Sequence, residues 1–134
     1  MVLGESEPKT APDRRSTAVV VDDHNLMAHV TAARVTDIGF DVIAVATTFA
    51  DGLAAIKALN PDVSVIDYAL DDDRTGVDIV RALPDQSRRR VLIVTATLTP
   101  NISERVGESG ASGAVEKTVT DEQFAAALRA AARA

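Results

Sequence analysis

The sequence predicts a doubly wound α/β fold: one five-stranded parallel sheet with helices on both faces. Two observations lead there. Short β-branched runs alternate five times with longer segments of helical period, joined by short connections. Those runs carry almost no inward/outward alternation, as expected of strands buried on both sides. A third observation concerns chemistry: a polar or charged residue closes four of the five runs.

In chain order, Thr17–Val21 reads as the first buried strand and Asn25–Ile38 as the first helix. Leu26, Val30, Ala33 and Val35 give that helix an apolar stripe, and Gly39 is placed to end it. Asp41–Ala46 is the second strand. Thr48 caps a helix that turns Leu53, Ile56 and Leu59 inward, and Asn60-Pro61 stops it. Val63–Ile66 is the third strand, ending at Asp67. An acidic loop containing DDDRTG leads to a short helix over Val77–Leu83. Val91–Val94 is the fourth strand, ending at Thr95, and a helix over Ile102–Glu108 follows. After the turn SGASG, Ala114–Glu116 is a weak fifth strand that ends at Lys117. Thr120 and Gln123 form a capping-box pattern, and Phe124, Leu128 and Ala131 mark the inner face of the last helix. Residues 1–16 are polar, proline-containing and without period. They are expected to be a disordered tail, with one domain over 17–134.

Bulk properties narrow the function. The chain of 134 residues suits one core. The absence of cysteine excludes disulfides and thiolate metal sites. No apolar run is long enough for a bilayer, and the first fifteen residues lack the apolar region of a signal peptide. A cytoplasmic address is therefore expected, without membrane association. The net charge of −6 argues against direct binding of nucleic acid phosphates.

In an open α/β sheet the ligand site lies at the carboxyl ends of the strands. There the sequence places Asp22 and Asp23, Asp67, Thr95 and Lys117. Three carboxylates at close range repel, and one ammonium does not balance them. A hard divalent cation would, and Mg²⁺ suits an all-oxygen donor set. A carboxylate beside such an ion can attack phosphorus. Asp67, alone at the end of VSVID, is the candidate nucleophile. Asp22 and Asp23 are the candidate metal holders, and Lys117 and Thr95 are placed to bind phosphoryl oxygens.

Each residue has a plainer reading when taken alone. The aspartate pair could cap the first helix, Thr95 could be a strand residue and Lys117 a surface lysine; their joint occurrence favours a site. His24 reads as a solvent-facing first-turn residue and His29 as non-functional. Arg88-Arg89-Arg90 reads as a solvated loop.

VVVDDHNLM, VSVIDYAL, VLIVTAT and GASGAVEK, in this order and on these elements, resemble the receiver (CheY-like) domains of bacterial two-component response regulators. The likeness spans residues 17–133. It implies the flavodoxin-like strand order 2-1-3-4-5. It implies phosphorylation of Asp67 by a sensor histidine kinase or phosphotransfer protein. Mg²⁺ would be held by Asp22, Asp23, Asp67 and the backbone carbonyl of Ala69. Thr95 and Lys117 would bind the phosphoryl group. A C-terminal output domain or effector protein, and a homodimer, are the further partners it implies. Such a receiver promotes its own phosphotransfer without being a turnover enzyme.

Three departures accompany the likeness. Ala114 stands where an aromatic residue is usual, Thr118 where proline follows the lysine, and LDDDRTG replaces a proline-containing loop after Asp67. They motivate a second expectation, a pseudo-receiver that binds a partner without phosphorylation. A Mg²⁺-dependent phosphatase with an aspartyl nucleophile is a third. Such enzymes want a second aspartate where this chain has Ala69.

Overall fold

The structure, a computed structural model, describes residues 15–71 and 73–134. The expected tail lies outside the described residues over 1–14, and Arg15 and Ser16 carry no regular element. The elements are β1 (Thr17–Val21), α1 (Asn25–Ile38), β2 (Asp41–Ala46), α2 (Phe49–Leu59), β3 (Val63–Asp67), α3 (Gly76–Ala82), α4 (Asp85–Arg88), β4 (Val91–Thr95), α5 (Pro100–Ser109), β5 (Gly113–Glu116) and α6 (Asp121–Ala132). The strands form one sheet in the order β2-β1-β3-β4-β5, and every pairing is parallel.

Both faces of the sheet are covered. Ile56 of α2, Val77, Ile79 and Val80 of α3 and Val106 of α5 pack on Val19, Val21, Ile66 and Ile93. On the other face Val35 of α1 and Phe124, Leu128 and Ala131 of α6 pack on Ala18, Val20, Val65 and Val94. β3 and β4 are buried along their full length, which is why their sequences run apolar without alternation. Each such Val or Ile contributes about 1.5–3 kcal/mol by leaving water.

Local chemistry sets most boundaries. Gly39 takes a left-handed conformation (φ 119°) and returns its amide to Thr36 and Val35 carbonyls, ending α1. Thr48 caps α2 through the Asp51 amide, and Asn60 ends it at φ 45°. Thr120 and Gln123 make the reciprocal capping box of α6. At the amino ends of β1 and β3, Asp62 accepts from the Thr17 amide at 2.8 Å, while the Thr17 hydroxyl accepts from the Asp62 amide at 3.0 Å.

Two expectations need correction. The inner face of α1 is not Leu26, Val30, Ala33 and Val35. Only Val35 of these is buried, beside Ala28, while Leu26 and Val30 are 65% and 49% exposed. Ala28 and Val35 lie two turns apart on one face of the helix, and with that face inward Leu26 and Val30 fall outside. Leu59, the last residue of α2, is also exposed. The one-turn α4 after Pro84 was not anticipated; four residues carry no readable period.

Candidate functional site

Parallel strands bring their carboxyl ends to one edge, and the right register makes a site of them. Asp22 follows β1 directly and is 2% exposed; Asp67, the last residue of β3, is 6% exposed. The Asp22 backbone is pinned by its amide to the Ala46 carbonyl at 3.1 Å, and its Oδ1 accepts from the His24 amide at 3.0 Å. Asp23 is exposed at the rim. Neither aspartate caps α1. His24 does, its Nδ1 accepting from the Met27 amide at 3.3 Å. His29 bonds within its own helix, to the Asn25 carbonyl.

Asp22, Asp23 and Asp67 each offer a carboxylate oxygen within 4.8 Å of the others. Lys117, just past β5, reaches back between the two buried ones. Its Nζ donates to Asp22 Oδ2 at 3.2 Å and to Asp67 Oδ2 at 3.3 Å. Burial, and then the Asp22 charge, push the Asp67 carboxyl up to about 6 against the opposing pull of Lys117. Burial weakens the Lys117 ammonium, but the charges of Asp67 and Asp22 outweigh this and raise it above its ordinary value. The site is thus short of positive charge. An all-oxygen acidic set of this spacing suits a hard divalent cation.

Thr95, 6% exposed, ends β4 beside β3. Its hydroxyl donates to the Thr97 carbonyl at 3.2 Å, within its own loop. Ala69 lies two residues beyond Asp67, on a segment held by a bridge to Thr75 and by the Gly76 amide donating to the Tyr68 carbonyl at 2.8 Å. Structure and sequence therefore agree on the gathering of Asp22, Asp23, Asp67 and Lys117, with Thr95 at the neighbouring strand end.

Four residues around the site were not singled out from sequence. Gly76 opens α3 so close to β3 that a Cβ there would lie 2.5 Å from the Asp67 carbonyl oxygen. Glu116 accepts from the Leu98 amide at 2.7 Å, tying the β4–α5 loop to β5. Arg34 of α1 binds the loop that follows Lys117, and Arg74 stacks on Phe49 beside the loop that follows Asp67. The glycine after DDDRT was a readable signal of close approach. The other three act across the fold, where local sequence carries no mark.

The response regulator receiver domain model matches residues 18–129. The chain belongs to that family. It is a receiver domain of two-component signalling, a class of signalling rather than metabolic domains. It is 30% identical over 115 residues to the transcriptional regulatory protein KdpE of Mycobacterium tuberculosis (strain H37Rv), which accounts for 86% of this chain and 50% of that protein. The chain thus spans about half the length of the curated relatives it matches. Among solved structures it is similar to the signal receiver domain of the NarL response regulator from M. tuberculosis. That match has 27% identity and a TM-score of 0.79 over 90% of this chain and 98% of the other. A LuxR-family two-component response regulator from Aurantimonas sp. shares the fold at 23% identity and a TM-score of 0.78, over 90% and 86% of the two chains. No described helix is long and apolar enough to cross a membrane.

Proposed function

We propose that this receiver takes a phosphoryl group onto Asp67 from the phosphohistidine of a sensor histidine kinase or phosphotransfer protein. The observation that carries the reading is Lys117 Nζ bridging Asp22 and Asp67, with Asp23 at the rim of the same acidic cluster. An Asp67 carboxylate oxygen attacks phosphorus, the P–N bond breaks, and its electron pair leaves with the imidazole. Asp22, Asp23, Asp67 and the Ala69 carbonyl would hold Mg²⁺, which supplies charge neutralisation to the phosphoryl oxygens. Lys117 takes one phosphoryl oxygen. The Thr95 hydroxyl exchanges the Thr97 carbonyl for another, and this moves the β4–α5 loop. That loop change is read by an output domain or effector. The likeness to KdpE, a transcriptional regulatory protein, supports a role in transcriptional control.

The test is intact mass after incubation with Mg²⁺ and acetyl phosphate, for the native chain and for Asp67→Asn. One added phosphate on the native chain and none on the variant is the expected result. If the native chain gains none, and neither Mg²⁺ nor beryllofluoride binds it, the domain is instead an interaction module that works without phosphorylation.

A further inference from the structure

We propose that Arg34 is the positioning residue for Lys117, the clamp that holds the phosphoryl-binding ammonium in place. The inference rests on the function proposed above but uses different residues. β5 is short and half-buried, and Lys117 lies beyond its last paired residue. The segment after Lys117 has Thr118, exposed and with no ring to stiffen the backbone. Something else must restrain it, because a lysine on a four-carbon stem is a mobile point charge.

Arg34 meets that need from α1, on the opposite side of the loop. Its Nη1 donates to the Lys117 carbonyl at 3.2 Å, and its Nη2 to the Val119 carbonyl. Its Nε donates to Asp121 Oδ1 at 3.0 Å, in the first turn of α6. The guanidinium lies over the Phe124 ring, 4.4 Å from its centroid. Phe124 is itself buried in the core. One planar group thereby joins α1, the residue that carries the ammonium, the loop and α6. Only a forked cation can reach two carbonyls and a carboxylate at once while stacking on a ring. The Lys117 amide is bonded to the Thr95 carbonyl at 2.8 Å, so the residue is fixed from both sides. Arg34 itself contacts neither Asp22 nor Asp67 among the bonds described. Its influence on chemistry passes through Lys117.

The experiment compares the native chain with Arg34→Met, which keeps the stem over Phe124, and Arg34→Lys, which keeps the charge. Phosphorylation by acetyl phosphate at saturating Mg²⁺ is expected to slow about tenfold in Arg34→Met. Arg34→Lys is expected to give little rescue, because an ammonium cannot reproduce the fork. The Mg²⁺ Kd, measured by calorimetry, is expected to move less than about threefold, since Asp22 and Asp23 are placed by β1. In a Lys117→Ala background, Arg34→Met is expected to change the rate by less than about twofold. Equal slowing in that background, or full rescue by lysine, overturns the proposal. If the native chain accepts no phosphate, the functional reading fails, and the clamp is judged on amide hydrogen exchange over 117–121. Faster exchange there in Arg34→Met, with the rest of the sheet unchanged, supports the clamp; unchanged exchange overturns it.

Discussion

Two loops leave the site, and an arginine closes each. After Asp67, Arg74 stacks 4.1 Å over Phe49 and pairs with Asp71 at 2.9 Å. After Lys117, Arg34 stacks 4.4 Å over Phe124 and pairs with Asp121 at 3.0 Å. The parts are the same: a guanidinium, a ring and an aspartate. The settings differ. Arg74 is 49% exposed, its acid is three residues away, and its ring is half-buried. Arg34 is 23% exposed, reaches across the fold, rests on a core ring and adds two backbone carbonyls. An exposed pair within one loop competes with water and is screened by salt. A half-buried fork that satisfies backbone carbonyls restrains elements that the chain brings together only on folding. The same trio of residues therefore decorates one loop and braces the other.

The contrast can be broken or sharpened in order of effect. The largest effect is expected from pH, because the two loops leave from groups of opposite electrostatic standing. Lys117 is stabilised as a cation, whereas the Asp67 carboxyl is raised from 3.8 to about 6. Between those values the folded chain keeps a proton that the unfolded chain has released. In chelator, stability is thus fully present below about pH 4 and is lost as pH rises through about 6. The loss is on the order of 3 kcal/mol, read by urea denaturation across that range. Saturating Mg²⁺ should flatten the slope; a slope of opposite sign would show that Asp67 is not strained as a carboxylate.

Next comes Arg34→Ala, expected to cost about 2 kcal/mol through two orphaned carbonyls and a lost stacking contact. Thermal melts with and without 1 M salt, roughly a 3 Å screening length, should show most of that loss persisting. The smallest effect is Arg74→Ala, expected to cost less than about 1 kcal/mol and to vanish in high salt. If the two alanine variants cost the same, burial and backbone contact are not what separates the clasps.

Much of the site could be read early because strand identity and strand ends are local matters. VVV, VSVI and VLIV are buried whatever surrounds them, so the residues that close them fall at one sheet edge. With the short run GAVE beside them, they place Asp22, Asp23, Asp67 and Lys117 at that edge. The α1 face was misjudged for a related reason. Apolar residues occur on more than one side of NLMAHVTAARVTDI, and which side meets the sheet is set by packing rather than by the helix's own period. The glycine that follows DDDRT marks a close approach, but what it approaches, the Asp67 carbonyl, lies on another element and is set only by folding.

The amino-acid sequence by itself determined the alternation of strands and helices, the buried sheet, and the acidic edge facing one lysine. Those follow from period, burial and the parallel arrangement, which need only neighbours in the chain. Tertiary structure alone decided that Glu116 holds the Leu98 amide, that Arg74 spends itself on a solvent-exposed loop, and that Arg34 braces Lys117 from 83 residues away. A guanidinium finds whichever carbonyls and ring the packed helices present to it, and that juxtaposition exists only once the chain has folded.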